Sequence, residues 1–567
     1  MADATNDAEA WGRGLRRSAE HFRAIGAGSH FRAADPVSQE LGGWHPSLTS
    51  PATEMWGERD PLVARIQDVT RNNGFAAGAK QTLVDTVIGA NWRLSPAPNW
   101  RALGIDFKAA IAWSTDVAAK WRSYADDVGC WIDFSRRQRF GGLLRTQFNS
   151  WFLSGEHCAI GRWKPRNVQP GRGKYATCLQ LIDPDRLSNP YNEPERRDLR
   201  QGVKLDPETN EPLGYFFRDA HPMDWPNALQ SMTWTYVVRE LPWGRPQVIH
   251  GFEVERDGQV RGKPPIASVV ETLRLEDIYE RTEAVSAVLN AMYAATIETD
   301  FAGMDAELIE QIFGKRHDGS ASGPSIDMTF RGVKVPQLPP GTRLKFNTMQ
   351  RGGAQFAQFE EAVLRRVAAG AGLSYEQVSR DYSKTNYSSA RASLLEAWRF
   401  MQGRSEFMAT SFADPAYVLW LEEAIARGEV ELPKGVPDFY QARSDWTMCR
   451  WIGPGRGWID PVKEVQASVM KIDAGLATLE SEAAEQGRDW LEVSEQRAYE
   501  AEELKRLGLD QTSSKVYLAN AQSITREDQP GQKQQEKDAA GWLASSFPWG
   551  CAGPRFAKTR STHPAGA

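Results

Sequence analysis

Near Ile266 the hydrophobic period of this chain changes, and that change limits the folds open to it more than any other feature. Before it, residues 90–265 carry short runs such as Glu156-His-Cys-Ala-Ile-Gly-Arg-Trp163, Cys178-Leu-Gln-Leu-Ile182, Gly214-Tyr-Phe-Phe-Arg218 and Thr233-Trp-Thr-Tyr-Val-Val238. Clusters of Pro, Gly, Asn and Asp separate them, so they read as strands of a mainly antiparallel sheet. Trp92-Arg-Leu-Ser95 reads as an earlier strand. Helical spacing flanks this region. Leu62, Ile66, Val69, Ala76, Leu83 and Val87 predict one helical run from Asp60 that closes at Gly89. Residues 111–124 and 140–152 predict two more helices. After Ile266 the pattern is helical again: Leu275, Ile278, Thr282, Val285, Leu289 and Met292 form one stripe, and Ala284, Ala287, Ala291 and Ala294 a second. Two stripes imply contact on two sides, and small residues let neighbouring helices approach closely. The class expected is α+β.

A chain of 567 residues exceeds what a single core supports, so several structural units are expected. With 68 basic and 73 acidic residues, the net charge of −5 carries no general basic excess of the kind nucleic-acid binders show. A near-neutral or acidic lining does suit a surface past which DNA moves, because strong phosphate binding would trap it. The five cysteines are scattered without CxxC spacing, which indicates neither a disulfide framework nor a zinc site and fits a reducing compartment. The first residues are acidic and lack an apolar core, and no apolar run is long enough to span a bilayer. A soluble intracellular protein is expected. The 21 tryptophans predict extensive aromatic packing.

Residues 300–350 interrupt the helices with Gly, Pro and Ser, and contain the short β candidates Gly332-Val-Lys-Val335 and Arg343-Leu-Lys-Phe346. A compact insertion accounts for them better than an unstructured loop. Helix resumes with Phe356, Phe359, Val363 and Val367 and ends at Gly370 and Gly372. A polar stretch rich in Ser and Tyr follows, carrying Arg380 and Lys384. A long helix starts near Ser388 with Leu394, Trp398, Met401, Ser405 and Met408 inward. From Asp460 the chain is helical and charged, with breaks at Gly475 and Gly487. Beyond Thr525 it is rich in Gln, Lys, Pro and Gly and reads as disordered.

Signals for chemistry are sparse. Gly171-Arg-Gly-Lys174 is too short for a phosphate-binding loop and has no strand leading into it. Ser154-Gly-Glu-His-Cys158 places Cys beside His, but adjacent strand residues face opposite sides. Asp183-Pro-Asp-Arg186 reads as a turn, His250 as a hydrogen-bonded residue at a strand end, and the Gly-rich stretch from Gly453 as a turn under aromatic packing. No catalytic, cofactor or metal residues are assigned.

Several stretches, in order, resemble the portal proteins of lambda-type tailed phages. They include Arg65-Ile-Gln-Asp-Val-Thr-Arg-Asn-Asn73, Val87-Ile-Gly89, Leu181-Ile-Asp-Pro-Asp-Arg-Leu187, His250-Gly-Phe-Glu253 with the following Gly258-Gln-Val-Arg-Gly-Lys-Pro264, the polar stretch continuing into Ala390-Arg-Ala-Ser-Leu-Leu-Glu-Ala-Trp398, Trp420-Leu-Glu-Glu-Ala-Ile425, Ile459-Asp-Pro-Val-Lys-Glu464 and Glu485-Gln-Gly-Arg-Asp-Trp-Leu-Glu-Val493. The resemblance covers about residues 40–510.

It implies an α+β portal-protein fold with an α/β wing, helical stem, small α/β clip and helical crown. In that scheme 1–40 is a flexible arm, 41–265 the first part of the wing, 266–299 and 351–372 stem helices, and 300–350 the clip. Residues 373–388 are the tunnel loop, 389–459 the rest of the wing, 460–525 the crown and 526–567 a disordered tail. The resemblance further implies a homo-oligomeric ring, typically of twelve subunits, at one capsid vertex of the virion, assembled in the host cytoplasm. Its implied partners are double-stranded DNA in the channel, the large terminase subunit, a head–tail connector or adaptor, and the major capsid and scaffold proteins, with no membrane. Arg380, Tyr382, Ser383, Lys384 and Tyr387 are the implied DNA-facing residues. The alternatives are another head or connector protein, or a soluble hydrolase using Ser154, His157 or Asp183.

Overall fold

The computed structural model of the chain describes residues 43–292, 296–299, 342–345, 353–383, 387–455 and 461–508. The arm at 1–40, nearly all of the 300–350 insertion with its strand candidate at Gly332, and the tail at 526–567 lie outside the described residues. The chain divides into two compact units, 1–466 and 467–567.

In the first unit, α1 (Pro51–Met55) leads to α2 (Arg59–Asn72) and α3 (Gly74–Val87). Apolar spacing predicts one helix here, but the chain breaks at Asn73. That residue is extended, and its Oδ1 accepts from the amides of Phe75 and Ala76. A good N-cap starts a second helix in spite of unbroken spacing. Next come β1 (Arg93–Pro96), α4 (Trp100–Leu103), α5 (Phe107–Ala125) and α6 (Phe140–Ser154). Gly155 ends α6 with φ +81°, where a Cβ would lie 2.2 Å from the Lys263 carbonyl carbon. Only glycine fits that turn.

The strands are β2 (Glu156–Trp163), β3 (Thr177–Ile182), β4 (Leu199–Arg200), β5 (Val203–Leu205), β6 (Pro212–Arg218), β7 (Trp234–Val238) and β8 (Val248–Phe252). β2 lies between β3 and β8, antiparallel to both, and β4 to β7 form a second antiparallel sheet in sequence order. The two-residue period of β2 sorts its side chains into two cores. Ala159 joins the large helical core, while Cys158 and Ile160 join a smaller one with Val203, Tyr215 and Phe217 of the second sheet. The strand expectations for 156–163, 178–182, 214–218 and 233–238 hold to within a few residues.

α7 (Val270–Met292) and α8 (Gly353–Ala371) pack together, and β9 (Thr296–Thr299) pairs with β10 (Thr342–Lys345), which contains the predicted Arg343-Leu-Lys strand. Among the described side chains, the core takes Val270 and Leu273 of α7, with Glu276 buried near them, and Leu364, Val367, Ala368 and Ala371 of α8. On α7, Leu275, Ile278, Val285 and Val288 are exposed. Of the apolar stripe read from the sequence, Leu275, Ile278 and Val285 are therefore about half exposed in the single chain, while the side chains of Leu289 and Met292 lie outside the described residues.

After α9 (Tyr375–Ser379), α10 (Tyr387–Met408) runs through a π-helical segment, Ala409–Ala413, into α11 (Asp414–Ala426). Pro415 lacks the N–H that a regular helix needs there, and the widened turn takes up the defect. On α10, Met401 and Met408 are buried, Trp398 and Ser405 half-buried, and Leu394 is exposed, so the predicted inner face holds only toward its C-terminal end. α12 (Arg443–Trp446) and β11 (Cys449–Ile452) follow, and β11 pairs with β1, Arg93 opposite Ile452. The expected aromatic packing is present: Trp121 of α5 lies 5.2 to 6.1 Å from Phe140, Trp420, Trp451 and Tyr417, which belong to three further elements.

The division between the units falls within α13 (Pro461–Asp473); α14 (Leu479–Glu485) and α15 (Trp490–Arg506) follow. Gly475 and Gly487, both at φ +70°, make the predicted breaks. α13 and α15 bury no residue, and α14 buries only Glu482, which pairs with Lys471 at 3.0 Å.

Candidate functional site

The polar stretch that follows α8 is held by successive local devices. Gly372 caps α8 with φ +68°, and a Cβ there would lie 2.3 Å from the Phe400 ring. The Leu373 amide donates to the Ala368 carbonyl at 2.9 Å, closing the helix end. Ser374 then starts α9 with a reciprocal cap: its hydroxyl accepts from the Gln377 amide, and the Gln377 side chain accepts from the Ser374 amide. Leu373 and Val378 are buried in the main core, and α9 packs on α3. The exposed loop expected over 373–388 is thus narrower. Its first part is folded into the core, because Leu373, Val378 and the cap anchor it.

The exposed tip starts at Arg380, which takes a left-handed conformation (φ 57°) and donates its amide to Glu376 O at 2.8 Å. Asp381 Oδ1 accepts from the Ser383 amide at 2.9 Å, an Asx turn that presents Tyr382 at 59% exposure. Arg380, Tyr382 and Ser383 thereby share one solvent-facing turn. Tyr387 opens α10, and Lys384 lies outside the described residues. Arg380 also acts on α3. The Asp85 carboxyl is held below its usual range first by the Gln81 amide, then by Arg145, whose guanidinium is 2.8 Å away, with Arg380 adding positive charge.

The hydrolase residues are engaged separately. Ser154 is buried at the end of α6, and Asp183 Oδ1 accepts from the Asp185 amide at 3.0 Å, the turn read from the sequence. His157 Nε2 lies 2.8 Å from Ser411 Oγ in the π-helical segment. That hydroxyl donates to Phe407 O at 2.6 Å, so it accepts from the imidazole and is not poised as a nucleophile. Burial, then the positive charge of His250, lowers the His157 pKa to about 3, and the ring is neutral. The Cys158 thiol, on the opposite face of β2, is pushed up by burial.

Sequence reasoning missed the buried charge cluster around Glu156. Its carboxylate accepts from Arg261 (2.5 to 3.0 Å), Arg59 (2.8 Å) and the Gly262 amide (2.9 Å), and lies 3.1 Å from His250 Nε2. Arg261 also donates to the carbonyls of Pro184, Leu187 and Gln201. Burial alone would raise the Glu156 pKa, but Arg261 and Arg59 outweigh it and hold it well below the carboxylate range. The group ties the start of β2 to the Asp183–Leu187 turn and the Gly258–Pro264 stretch, motifs that are far apart in sequence. Among the described residues no group of three or more His, Cys, Asp or Glu side chains could hold a metal ion, and no helix is long and apolar enough to cross a membrane.

Residues 38–404 match the family described as phage portal protein, lambda family. The chain is 37% identical over 505 residues to the portal protein of Escherichia phage N15, covering 87% of this chain and 94% of that protein. It is also 37% identical over 507 residues to portal protein B of Escherichia phage lambda, covering 88% and 92%. A probable portal protein of Halomonas phage phiHAP-1 is 23% identical over 514 residues, covering 86% and 88%. Among solved structures, a chain from the neck of an empty GTA particle computed with C6 symmetry aligns with a TM-score of 0.44 at 12% identity, covering 76% of this chain and 95% of that one.

Proposed function

The chain belongs to the lambda family of phage portal proteins, and from that premise we propose that its subunits close a ring at one capsid vertex around a channel for the genome. The supporting observation within the chain is the apolar stripe on α7. Leu275, Ile278, Val285 and Val288 are between 48% and 58% exposed in the single subunit. Apolar helix faces of that length are ordinarily covered by a partner, and a heterologous contact repeated about one axis covers each copy with the next. Under this reading α7 and α8 are stem helices, and residues 41–265 with 389–459 form the wing. Residues 300–350 are the clip that meets the terminase and later the head–tail connector, and 460–525 form the crown. The ring meets capsid and scaffold proteins at its rim and catalyses nothing.

The tip at 380–388 lines the channel. Arg380 and Lys384 make passing phosphate contacts, while Tyr382, Ser383 and Tyr387 add sequence-neutral ones. Negative-stain electron microscopy of the purified chain tests the assembly: rings with a central opening are expected, and solitary subunits at every concentration would overturn it. For the tip, the double substitution Arg380→Ala with Lys384→Ala is expected to leave rings intact while impairing DNA packaging or retention. Normal packaging by that variant would remove both residues from the channel site.

A further inference from the structure

Between residues 134 and 182 the chain has nine basic residues and one carboxylate, Glu156, which is fully buried and already paired. The fold brings two loops of this segment together. The Phe134 amide donates to Leu179 O at 2.9 Å and the Lys164 amide to Ala176 O at 2.8 Å, while Val168 bridges Gly173. Trp131 is the shared platform: Gly173 of the second loop packs on its ring, and the Arg136 guanidinium of the first stacks over it at 3.6 Å. Lys164 Nζ lies 3.6 Å from the centre of the Phe134 ring and donates to the Phe134 carbonyl. The result is one surface carrying Arg136, Arg137, Arg139, Arg166, Arg172 and Lys174, all exposed.

None of those six side chains forms an ion pair among the described residues. The carboxylates of the first loop accept from neutral amides: Asp126 from the Asn91 side chain, Asp127 from the Gly129 backbone, and Asp133 from the backbone of Arg137 and Gln138. Six exposed cations outnumber the three carboxylates of the first loop, Asp126, Asp127 and Asp133, and the excess like charges repel one another, in a molecule whose net charge is negative. A polyanion relieves that repulsion. Arginine predominates, and its planar fork suits phosphate oxygens. Large exposed apolar residues that a protein partner would bury are few here, namely Val128 and Trp163, and Trp163 already faces the guanidinium groups of Arg245 and Arg427.

We propose that the loops at 134–139 and 162–174 form a cationic face that binds the phosphate backbone of duplex DNA without regard to sequence, separately from the tip at 380–388. Nothing in this site depends on how the ring or its channel is read.

The test is fluorescence anisotropy of a short labelled duplex of mixed sequence with the full chain, across a salt series. Binding that weakens with salt is expected. Arg166→Glu, Arg172→Glu and Lys174→Glu together should weaken it at least tenfold at low salt. They should also flatten the slope of log K against log salt by about 3, at ~0.9 for each phosphate no longer neutralised. Arg166→Lys with Arg172→Lys should retain binding, and so should Arg380→Ala. In a second measurement that needs no variant, duplex should protect Lys174 of the unaltered chain from acylation. Equal affinity and slope for the Glu variant, or no protection of Lys174, would overturn the proposal. So would tighter binding of an acidic peptide than of duplex, or loss of the ring with duplex binding unchanged; these would assign the face to a protein partner or to the neighbouring subunit.

Discussion

Glu156 shows why a residue's sequence neighbours say little about its energetics. Beside His157 and Cys158 it looks like part of a polar cluster, yet its partners, Arg59, Arg261 and His250, come from three distant segments. Glu156→Gln would leave the buried Arg261 guanidinium without a counter-charge and Arg59 with only the exposed Asp60, and is expected to cost about 3–5 kcal/mol in chemical denaturation, against little for an exposed control such as Glu54→Gln. The two buried titratable neighbours give separate pH signatures. The His157 pKa falls to about 3 on folding. The unfolded chain therefore binds the extra proton below about pH 6.5, and stability declines as pH falls from there by about 1.4 kcal/mol per unit. His157→Gln should remove that slope between pH 6 and 4.5, read as the difference from the unaltered chain. Glu156 is depressed too, so its contribution is complete above the unfolded carboxylate value and is lost only as pH falls through the lower folded one. A stability difference between the unaltered chain and His157→Gln that stays flat with pH would contradict a neutral buried His157.

At the level of elements, α7 separates packing within the subunit from packing between subunits. Leu273 is buried and Leu275 is 58% exposed, although both are leucines two positions apart. Leu273→Ala is expected to lower the stability of the isolated subunit by about 2–5 kcal/mol. Leu275→Asp with Val285→Asp should leave subunit melting nearly unchanged and abolish rings in electron micrographs; intact rings would exclude this face from assembly. The cap between α8 and α9 is a second case. Gly372→Ala meets both a left-handed backbone and the Phe400 ring, so a loss of at least about 1 kcal/mol is expected, with increased proteolysis at the 380–383 tip. Caps also separate the helix ends that are legible in the sequence from those that are not. Gly89, Gly475 and Gly487 end helical runs as read, whereas Asn73 starts a new helix inside apolar spacing that runs on without a break.

For the whole molecule, the sequence by itself determined the element types, the order of sheet and helix, the polar tip and the family, since each is carried by periodicity, cap residues or contiguous motifs. Those signals are local, and a chain carries them whether or not it is folded. Tertiary structure alone decided which helical stripes are covered, that Leu373 and Val378 pin the start of the polar stretch, and that β11 returns to pair with β1. It alone gathered Glu156 with its guanidinium partners, and it set the two cationic loops on one aromatic platform. Burial and charge pairing depend on distances between residues tens to hundreds of positions apart. The enthalpy and desolvation that fix those distances exist only once the chain has packed.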